Sequence, residues 1–254
     1  MDITDWAIWY EKIALTFGFD RNEDQRATSL LSELIRNKAI KPNEIRNLLK
    51  NQSVLILGAG PSLKKDLQKI KESNLLEKFV SITVDGATTA FFEFIKKPPQ
   101  IVVTDLDGRI DDQILASKLG SIIVIHGHGD NIEQLLKFIP KFRRVLGTTQ
   151  VEETKNVYNF GGFTDGDRAV FLAVAMDVQL IILAGMDLGE DIGEYSKIIV
   201  KYKERKIQKL KFCKELLEWL ATRTQTKLYN LTEKGENIKG FKKTFSQDLP
   251  NLVK

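Results

Sequence analysis

The chain has 254 residues with a formal net charge of +4, enough length for one large α/β domain or for a main domain with a small helical appendage. This modest charge is spread along the chain, which argues against nucleic acid as the main partner and is compatible with an anionic small substrate. The single Cys213 excludes a disulfide framework and a Cys-based zinc site, and no apolar run could span a bilayer, so we expect a soluble cytoplasmic protein.

The predicted elements follow two patterns along the chain. Residues 1–50 have helical spacing of apolar side chains and no convincing strand. After residue 50, helical segments separate most of a series of short apolar runs. The predicted strands are Val54–Leu57, Val80–Val84, Ile101–Val103, Ile122–Ile125, Arg144–Leu146, Leu180–Leu183 and a last one near Lys227–Leu231. This alternation predicts an α/β fold with a Rossmann-like, mostly parallel sheet covered by helices, so we divide the chain into a helical N-terminal segment, 1–50, and a Rossmann-like catalytic domain, 51–254.

Residues Glu194–Ala221 are predicted to form one long helix near the end of the chain. Its apolar side, which indicates core packing, consists of Ile198, Ile199, Tyr202, Leu210, Leu217 and Leu220. Its basic side is interpreted as a solvated face, with a cationic lid over a triphosphate as the alternative. The basic residues concerned are Lys201, Lys203, Lys206 and Lys209. Near the start of the chain, Trp6, Trp9 and Tyr10 are interpreted as packing residues and not as a ligand-stacking site.

Glycine-containing loops are expected where ligands bind in such a sheet, beyond the carboxyl ends of the strands. In Gly58-Ala59-Gly60-Pro61-Ser62 the glycines allow close approach of a phosphate, and Ser62 can cap the next helix. The loop lacks the third glycine of the full dinucleotide fingerprint, so a plain strand-to-helix turn remains equally compatible. Asp85-Gly86-Ala87-Thr88 opens another helix after the second strand. The candidate nucleotide-binding residues are Gly58, Gly60, Ser62, Asp85, Gly86 and Thr88.

Aspartates follow four of the predicted strands, and the pair in Thr104-Asp105-Leu106-Asp107-Gly108 is the most compact example. Aspartate alone has an ordinary explanation, because it caps helices and closes turns. The clustering is harder to explain in this way, since unpaired carboxylates at one edge of a sheet repel each other. A hard cation such as Mg²⁺ binds carboxylate oxygens and keeps positions for substrate phosphates and water. The spacing therefore favours a metal site at Asp105 and Asp107.

Two further motifs are predicted to lie at the same edge. His126-Gly127-His128-Gly129-Asp130-Asn131 contains both histidines of the chain. These could be stacked loop residues or a transition-metal pair, although no third soft ligand is evident. In the second motif, Thr164-Asp165-Gly166-Asp167-Arg168-Ala169, either Thr164 or Asp165 is expected to begin a helix.

The order of these motifs resembles that of thiamine pyrophosphokinase. The stretches at 85–88, 98–100 and 104–108 are similar to the Asp-Gly-Gly-Ala stretch, the Pro-Asp lead-in and the Gly-Asp-Phe-Asp-Ser metal loop of that family. The stretch at 164–169 resembles its Thr-Asp-x-x-Lys-Ala motif. Thr104, Gly108 and Arg168 replace Gly, Ser and Lys of that pattern, and the chain leaves no room for the C-terminal β-sandwich that binds thiamine.

The whole chain resembles the archaeal 6-hydroxymethyl-dihydropterin diphosphokinases, the MptE-like family, more closely. Five of their motifs occur here across most of residues 45–240: Gly-Ala-Gly-Pro-Ser-Leu, Thr-Asp-Leu-Asp-Gly, His-Gly-His-Gly-Asp-Asn, Gly-Gly-Phe-Thr-Asp-Gly-Asp-Arg-Ala and Leu-Ala-Gly-Met-Asp-Leu-Gly. The resemblance implies transfer of diphosphate from ATP to the hydroxymethyl oxygen of 6-hydroxymethyl-7,8-dihydropterin, with AMP as the other product, in folate-like cofactor synthesis.

With that reaction, we assign catalytic roles to Asp105, Asp107, Asp165, Arg168, His126 and His128. The first two aspartates would bind Mg²⁺ and Asp165 would complete the site, while Arg168, one helical turn further on, can face the same phosphates. His126 or His128 would relay the alcohol proton or bind phosphate, with Asp130 orienting it.

The partners implied are ATP and a pterin alcohol, with no nucleic acid and no membrane; a homo-oligomer is left open. Two alternatives remain at this point. The chain could be a related transferase that uses thiamine or a sugar nucleotide, or a non-catalytic nucleotide-binding module.

Overall fold

A nine-stranded sheet forms the centre of the molecule in the computed structural model, which describes residues 3–196 and 203–253. The strands are β1 (Ser53–Leu57), β2 (Val80–Val84), β3 (Ile101–Thr104), β4 (Ile122–His126), β5 (Val145–Thr148), β6 (Val157–Tyr158), β7 (Leu180–Ala184), β8 (Lys227–Asn230) and β9 (Lys242–Lys243). The helices are α1 (Ile3–Phe17), α2 (Arg21–Leu34), α3 (Pro42–Leu49), α4 (Leu63–Glu72), α5 (Ala87–Ile95), α6 (Ile110–Lys118), α7 (Ile132–Phe138), α8 (Asp165–Ala175), α9 (Lys203–Ala221) and α10 (Leu249–Leu252). The strands pair in parallel in the order β6-β5-β4-β3-β2-β1-β7-β8-β9. The predicted α/β class, parallel sheet and helical N-terminal segment are confirmed.

The central strands are apolar because both of their faces are covered. Alternate residues of β1 point to opposite sides: Val54 and Ile56 belong to one hydrophobic cluster, and Leu55 and Leu57 to another. All five residues of β2, β4 and β7 are buried. Such continuous apolar runs are what a doubly covered parallel sheet requires.

The N-terminal helices share the core of the sheet. Trp6 and Tyr10 of α1 are buried in the same cluster as α8 and α9, and Trp9 packs edge-to-face on Trp219 with ring centroids 6.0 Å apart. The interpretation of these residues as packing residues is confirmed. Helix α2 contributes Leu31 to the cluster on the opposite face, together with residues of β4. The division of the chain at residue 50 stays a prediction.

Two predictions about elements are wrong in detail. The sequence analysis missed β6 and β9, which have two residues each and lie at the two edges of the sheet. The long helix was predicted to begin at Glu194, but residues 194–196 form a turn and α9 is described from Lys203. The turn is held by tertiary packing, since a β carbon at Gly193 would overlap the backbone of Ala59 and Gly60. Ile198, Ile199, Lys201 and Tyr202 lie outside the described residues.

The order of the strands determines where a ligand can bind. Strands β1 to β6 run outward to one side, and the chain then returns to place β7 on the other side of β1. In sheets of this kind, a crevice opens at the carboxyl ends of the strands where the order reverses. No helix within residues 3–196 and 203–253 is long and apolar enough to cross a membrane.

Candidate active site

A cavity of about 600 Å³ lies at the carboxyl ends of the strands, at the point where the strand order reverses. Each of the glycine-, aspartate- and histidine-containing motifs contributes at least one residue to its wall, whereas the stretch at 98–100 does not line it. The wall also includes the first turns of α9, whose basic side was interpreted as a solvated face, with a cationic lid over a triphosphate as the alternative. The cavity therefore unites the separate motifs in one candidate active site.

Three carboxylates converge in this cavity: Asp85 after β2, Asp105 after β3 and Asp165 at the start of α8. One oxygen of each lies within 4.8 Å of the oxygens of the other two. The predicted metal set was Asp105, Asp107 and Asp165, so the structure places Asp85 in the cluster instead of Asp107. Asp107 is exposed at the cavity wall beside this group, which we call the carboxylate triad.

Thr104 fixes the two turns that carry Asp85 and Asp105. Its hydroxyl donates to Asp85 Oδ1 at 2.6 Å, and the backbone N–H of Leu106 donates to the same hydroxyl at 2.8 Å. Asp85 and Leu106 have φ of 41° and 69°, a left-handed conformation that costs a non-glycine residue energy. Burial of the Leu106 side chain helps to hold this turn and directs Asp105 into the cavity.

The protonation of the triad reflects its crowding. Burial, followed by the negative charge of Asp165, raises the pKa of Asp85 well above its ordinary value. Burial and the charge of Asp105 raise the pKa of Asp165 to about 8. Burial alone would also raise the pKa of Asp105, but the imidazole of His128 lowers it below its ordinary value. Three ionised carboxylates cannot be neighbours at neutral pH without a cation between them.

The triad fits a hard divalent cation. All three side chains supply oxygen, the donor that Mg²⁺ prefers. Asp105 Oδ1 is buried and has no hydrogen-bond partner among the described residues, as expected for an oxygen that coordinates a ligand. The mutual repulsion that raises two of the pKa values would be relieved by the same ion.

Arg168 stands behind the triad and is almost fully buried. Its two terminal nitrogens donate to the carbonyl oxygens of Gly162, at 3.1 Å, and Phe163, at 2.8 Å. Its Nε lies 3.9 Å from Asp165 Oδ1. Arg168 thus holds the turn before α8 and brings one positive charge to the triad, while its predicted contact with phosphates stays a prediction. The helix begins at Asp165 with Thr164 as its cap, as expected.

The hydrogen bonds of the two histidines require different tautomers. The Thr148 hydroxyl donates its single proton to the carbonyl of Ile125 at 3.2 Å, so His126 Nδ1–H must donate to Thr148 Oγ1 at 3.3 Å. His126 Nε2 is therefore unprotonated, and it has no hydrogen-bond partner among the described residues. Burial lowers the pKa of His126 well below its ordinary value, so the ring stays neutral.

His128 has the opposite tautomer. The backbone N–H of Asp130 donates to its Nδ1 at 3.3 Å, so Nε2 carries the proton and faces Asp105 Oδ2 at 3.6 Å. Asp130 orients this ring through its backbone and not through its carboxylate. The rings of His126 and His128 stack with centroids 5.7 Å apart. One histidine thus offers an acceptor and the other supports a triad carboxylate.

The sequence analysis missed Asp24, a buried residue of α2 that holds the histidine loop. Its Oδ1 accepts from the backbone N–H of Gly129 at 2.8 Å, and its Oδ2 accepts from Tyr10 and Gln150, each at 2.9 Å. The N-terminal helices therefore position part of the site. The available signal was a carboxylate at helical spacing from the buried residues of α2, Leu31 among them.

The loop after β1 differs from its prediction. Gly58 and Gly60 line the cavity, but a β carbon on either would also approach the Gly185 carbonyl oxygen within 2.7 Å, so close packing on β7's loop already requires glycine. Ser62 is the N-cap residue of α4, as predicted, but its side chain makes no capping hydrogen bond to the helix. Its hydroxyl lies 2.9 Å from Asp66 Oδ2 and 3.0 Å from Asp187 Oδ2, and this pair of acceptors occupies it.

The remaining candidate nucleotide-binding residues are divided in the same way. Gly86 lines the cavity, and a β carbon there would overlap the carbonyl oxygen of Tyr195. Thr88 is buried 2.9 Å from the Thr83 hydroxyl, away from the cavity wall. Burial raises the pKa of Asp66, behind Ser62, to about 6.

The prediction of a solvated lysine face on α9 is wrong for Lys206 and Lys209. Both are half-buried and line the cavity together with Arg205, whereas Lys203 is exposed as expected. Burial lowers the pKa of Lys206, and the charges of Asp107 and Asp85 oppose that shift. Cations from α9 therefore face the carboxylates that follow the strands.

The fold and this site define a Rossmann-type α/β protein with an acidic, metal-type cluster flanked by cations. Residues 28–193 match the family described as 6-hydroxymethylpterin diphosphokinase MptE-like. The chain belongs to this family, as the resemblance predicted.

Three curated relatives carry the name 6-hydroxymethyl-7,8-dihydropterin pyrophosphokinase. The relative from Methanocaldococcus jannaschii is 39% identical over 89% of this chain and 98% of its own length. That from Pyrococcus furiosus is 42% identical over 88% of this chain and 96% of its own length, and that from Methanothermobacter thermautotrophicus is 38% identical over 87% and 95%.

Proposed function

We propose that this protein is a magnesium-dependent diphosphokinase that transfers the diphosphate of ATP to the hydroxymethyl oxygen of 6-hydroxymethyl-7,8-dihydropterin and releases AMP. The carboxylate triad of Asp85, Asp105 and Asp165 is the observation that carries the chemistry. The names of the three curated relatives support the choice of the acceptor. The reducing cytoplasm expected from the single cysteine is part of the same proposal.

The triad would hold a Mg²⁺ ion, which neutralises charge on the phosphates while the diphosphate is transferred. In the reaction, the alcohol oxygen forms a bond to the β-phosphorus of ATP. The bond between that phosphorus and the α,β-bridging oxygen breaks, and AMP leaves with the oxygen. The protein contributes mainly position and electrostatic stabilisation, because phosphoryl transfer of this kind requires little covalent chemistry from side chains.

The alcohol proton needs an acceptor, and His126 is the better of the two histidines for that role. Its Nε2 holds an unshared lone pair, whereas Nε2 of His128 carries a proton and faces Asp105. A neutral ring of lowered pKa is a weak base, so His126 orients the hydroxyl and accepts its proton late in the reaction. His128 acts on the metal side by orienting Asp105.

The decisive experiment is an acceptor panel with product analysis. The purified protein is incubated with ATP and Mg²⁺ and with 6-hydroxymethyl-7,8-dihydropterin, thiamine or no acceptor, and AMP and the diphosphorylated product are separated by chromatography. We expect AMP and pterin diphosphate to form in equal amounts when the pterin is the acceptor, and no AMP to form with thiamine or without an acceptor. Neither product should form when EDTA is added. Formation of AMP with thiamine would show that thiamine, and not the pterin, is the acceptor. If no AMP forms with any acceptor, the protein is better described as a nucleotide-binding module.

A matched pair of variants links the activity to the site. Asp105→Asn keeps the size of the side chain but removes one negative charge, and we expect turnover to fall at least about 10²-fold. Asp111→Asn makes the same change at an exposed position of α6 outside the cavity and should leave turnover intact. A folded Asp105→Asn protein with near-native turnover at limiting Mg²⁺ would contradict the metal assignment.

A further inference from the structure

The first turns of α9 present cations to the cavity. Lys206 and Lys209 are three positions apart, so they lie on the same side of the helix, and both line the cavity. Lys203 and Lys211 on the same helix are exposed and do not line it. This difference in exposure separates two kinds of lysine on one helix.

Each inward lysine lies within the electrostatic influence of the aspartates across the cavity. The charges of Asp107 and Asp85 act on Lys206, whose ammonium donates to the Ser196 hydroxyl. Lys209 acts on Asp105, and its Nζ stands 5.6 Å from the ring centroid of Phe163. The lysines therefore line the same cavity as the carboxylates and lie close enough for their charges to interact.

Neither inward lysine forms an ion pair within residues 3–196 and 203–253, whereas Lys214 on the same helix pairs with Glu236 at 2.9 Å. A half-buried ammonium without an anionic partner is costly, and two of them three positions apart repel each other. A polyanion between them would relieve both costs. Phosphate suits this position, because lysine binds it as a point charge without requiring a fixed geometry.

Arg205 has a different role. Its guanidinium donates to the carbonyl oxygen of Phe17 at 3.2 Å and lies over the rings of Phe17 and Phe19, 5.8 and 5.7 Å from their centroids. These contacts hold the described start of α9 against the end of α1. Arg205 thereby fixes the helix from which the two lysines extend.

We propose that Lys206 and Lys209 form the polyphosphate-binding side of this active site and contact phosphate oxygens of ATP opposite the carboxylate triad. This inference rests on the proposed function and adds the residues that bind its phosphate donor. In this arrangement the phosphates lie between two charged walls. The triad would hold them through a bound Mg²⁺ ion, and α9 would contact them directly.

The test uses inorganic tripolyphosphate as well as ATP, each with Mg²⁺, so that binding of phosphate is measured apart from binding of the base. Isothermal titration calorimetry compares the wild-type protein with Lys206→Met and Lys209→Met, which keep most of the side-chain volume but lose the charge. We expect each variant to bind both ligands about 10- to 100-fold more weakly, in line with the loss of one charged hydrogen bond. Lys211→Met is the matched control on the outer face and should bind like the wild type.

Two further measurements exclude a merely structural effect. The melting temperature of Lys206→Met should not fall below that of the wild type, and Lys206→Arg, which restores the charge, should recover most of the affinity. If both methionine variants fold and bind Mg²⁺–tripolyphosphate with wild-type affinity, the proposal is wrong. Should Lys209→Met lose stability with its ring contacts, Lys206→Met decides the matter, because Lys206 lies over no aromatic ring of residues 3–196 and 203–253.

Failure of this inference can be told from failure of the proposed function. If the wild-type protein forms pterin diphosphate but both lysine variants keep full affinity for ATP and tripolyphosphate, only the assignment of the lysines is wrong. If the wild-type protein transfers diphosphate to another alcohol and both variants lose affinity, the proposed acceptor is wrong but the assignment of the lysines stands.

Discussion

The carboxylate triad should make the cation-free protein less stable near neutral pH than in mild acid. The folded protein raises the pKa of Asp165 to about 8, through burial and the charge of Asp105, from an unfolded value of about 3.9. A carboxyl group whose pKa rises on folding binds its proton more tightly in the folded state. Its stabilising contribution is therefore complete below about pH 4 and is lost as the pH rises through about 8.

The size of the effect follows from the same values. Between about pH 4 and pH 7 the folded protein holds a proton on Asp165 that the unfolded chain has lost. Over these roughly three pH units the free energy of unfolding therefore falls by about 4 kcal/mol. Because the oxygens lie within 4.8 Å of one another, Coulomb's law at an effective dielectric constant of about 20 gives at least about 3.5 kcal/mol for two unit charges at that separation. Asp165→Asn removes this cost but also loses the contact with Arg168, so we expect a net gain of about 2 kcal/mol.

Thermal unfolding in EDTA measures this gain, which corresponds to about 4–8 °C for a chain of this length. The difference between Asp165→Asn and the wild type should be larger at about pH 8 than at about pH 5. Added Mg²⁺ should then stabilise the wild type more than the variant, because only the wild type keeps the full triad. The reasoning is refuted if the variant is the less stable protein at about pH 8 in EDTA, or if the difference does not change with pH.

Three further predictions test the site. Asp85→Asn should lower turnover at least about 10²-fold and weaken Mg²⁺ binding, while Asp107→Asn, outside the triad, should lose less; equal losses in a kinetic titration with Mg²⁺ would contradict the assignment. His126→Gln should reduce turnover by about 10²-fold with unchanged affinity for Mg²⁺–ATP, whereas His128→Gln should raise the Mg²⁺ concentration needed for half-maximal turnover; the opposite pattern would exchange their roles. Asp24→Ala leaves three hydrogen-bond donors without their acceptor, so urea unfolding should show a loss of about 2–4 kcal/mol, and hydrogen exchange should be faster in the histidine loop.

The strands could be predicted from the sequence because burial on both faces leaves long apolar runs with little else in them. Strands β6 and β9 could not, since two residues at a sheet edge carry no periodic signal. The start of α9 was misplaced for another reason. The local sequence after Gly193 is compatible with a helix, but that glycine packs closely on the loop after β1 and residues 194–196 form a turn.

The membership of the triad depended on strand register, which no local motif contains. Asp105 and Asp107 are neighbours in sequence, and this proximity suggested a shared metal. In the sheet, however, Val84 pairs with Val103, so Asp85 follows β2 at the level of Thr104 and accepts its hydroxyl proton. A contact between neighbouring strands thus selected Asp85.

Charge is arranged in this site by the two kinds of element that meet there. Parallel strands end together, so aspartates that follow β2 and β3 gather on one side of the cavity, where they repel each other unless a cation is bound. Helix α9 lines the same cavity and brings the ammonium groups of Lys206 and Lys209, which repel each other unless an anion is bound. On the proposed function, a metal–polyphosphate complex would satisfy both requirements at once. Its binding would then draw free energy from relief of the same repulsion that destabilises the ligand-free protein, and the charges would already be positioned to stabilise the transition state.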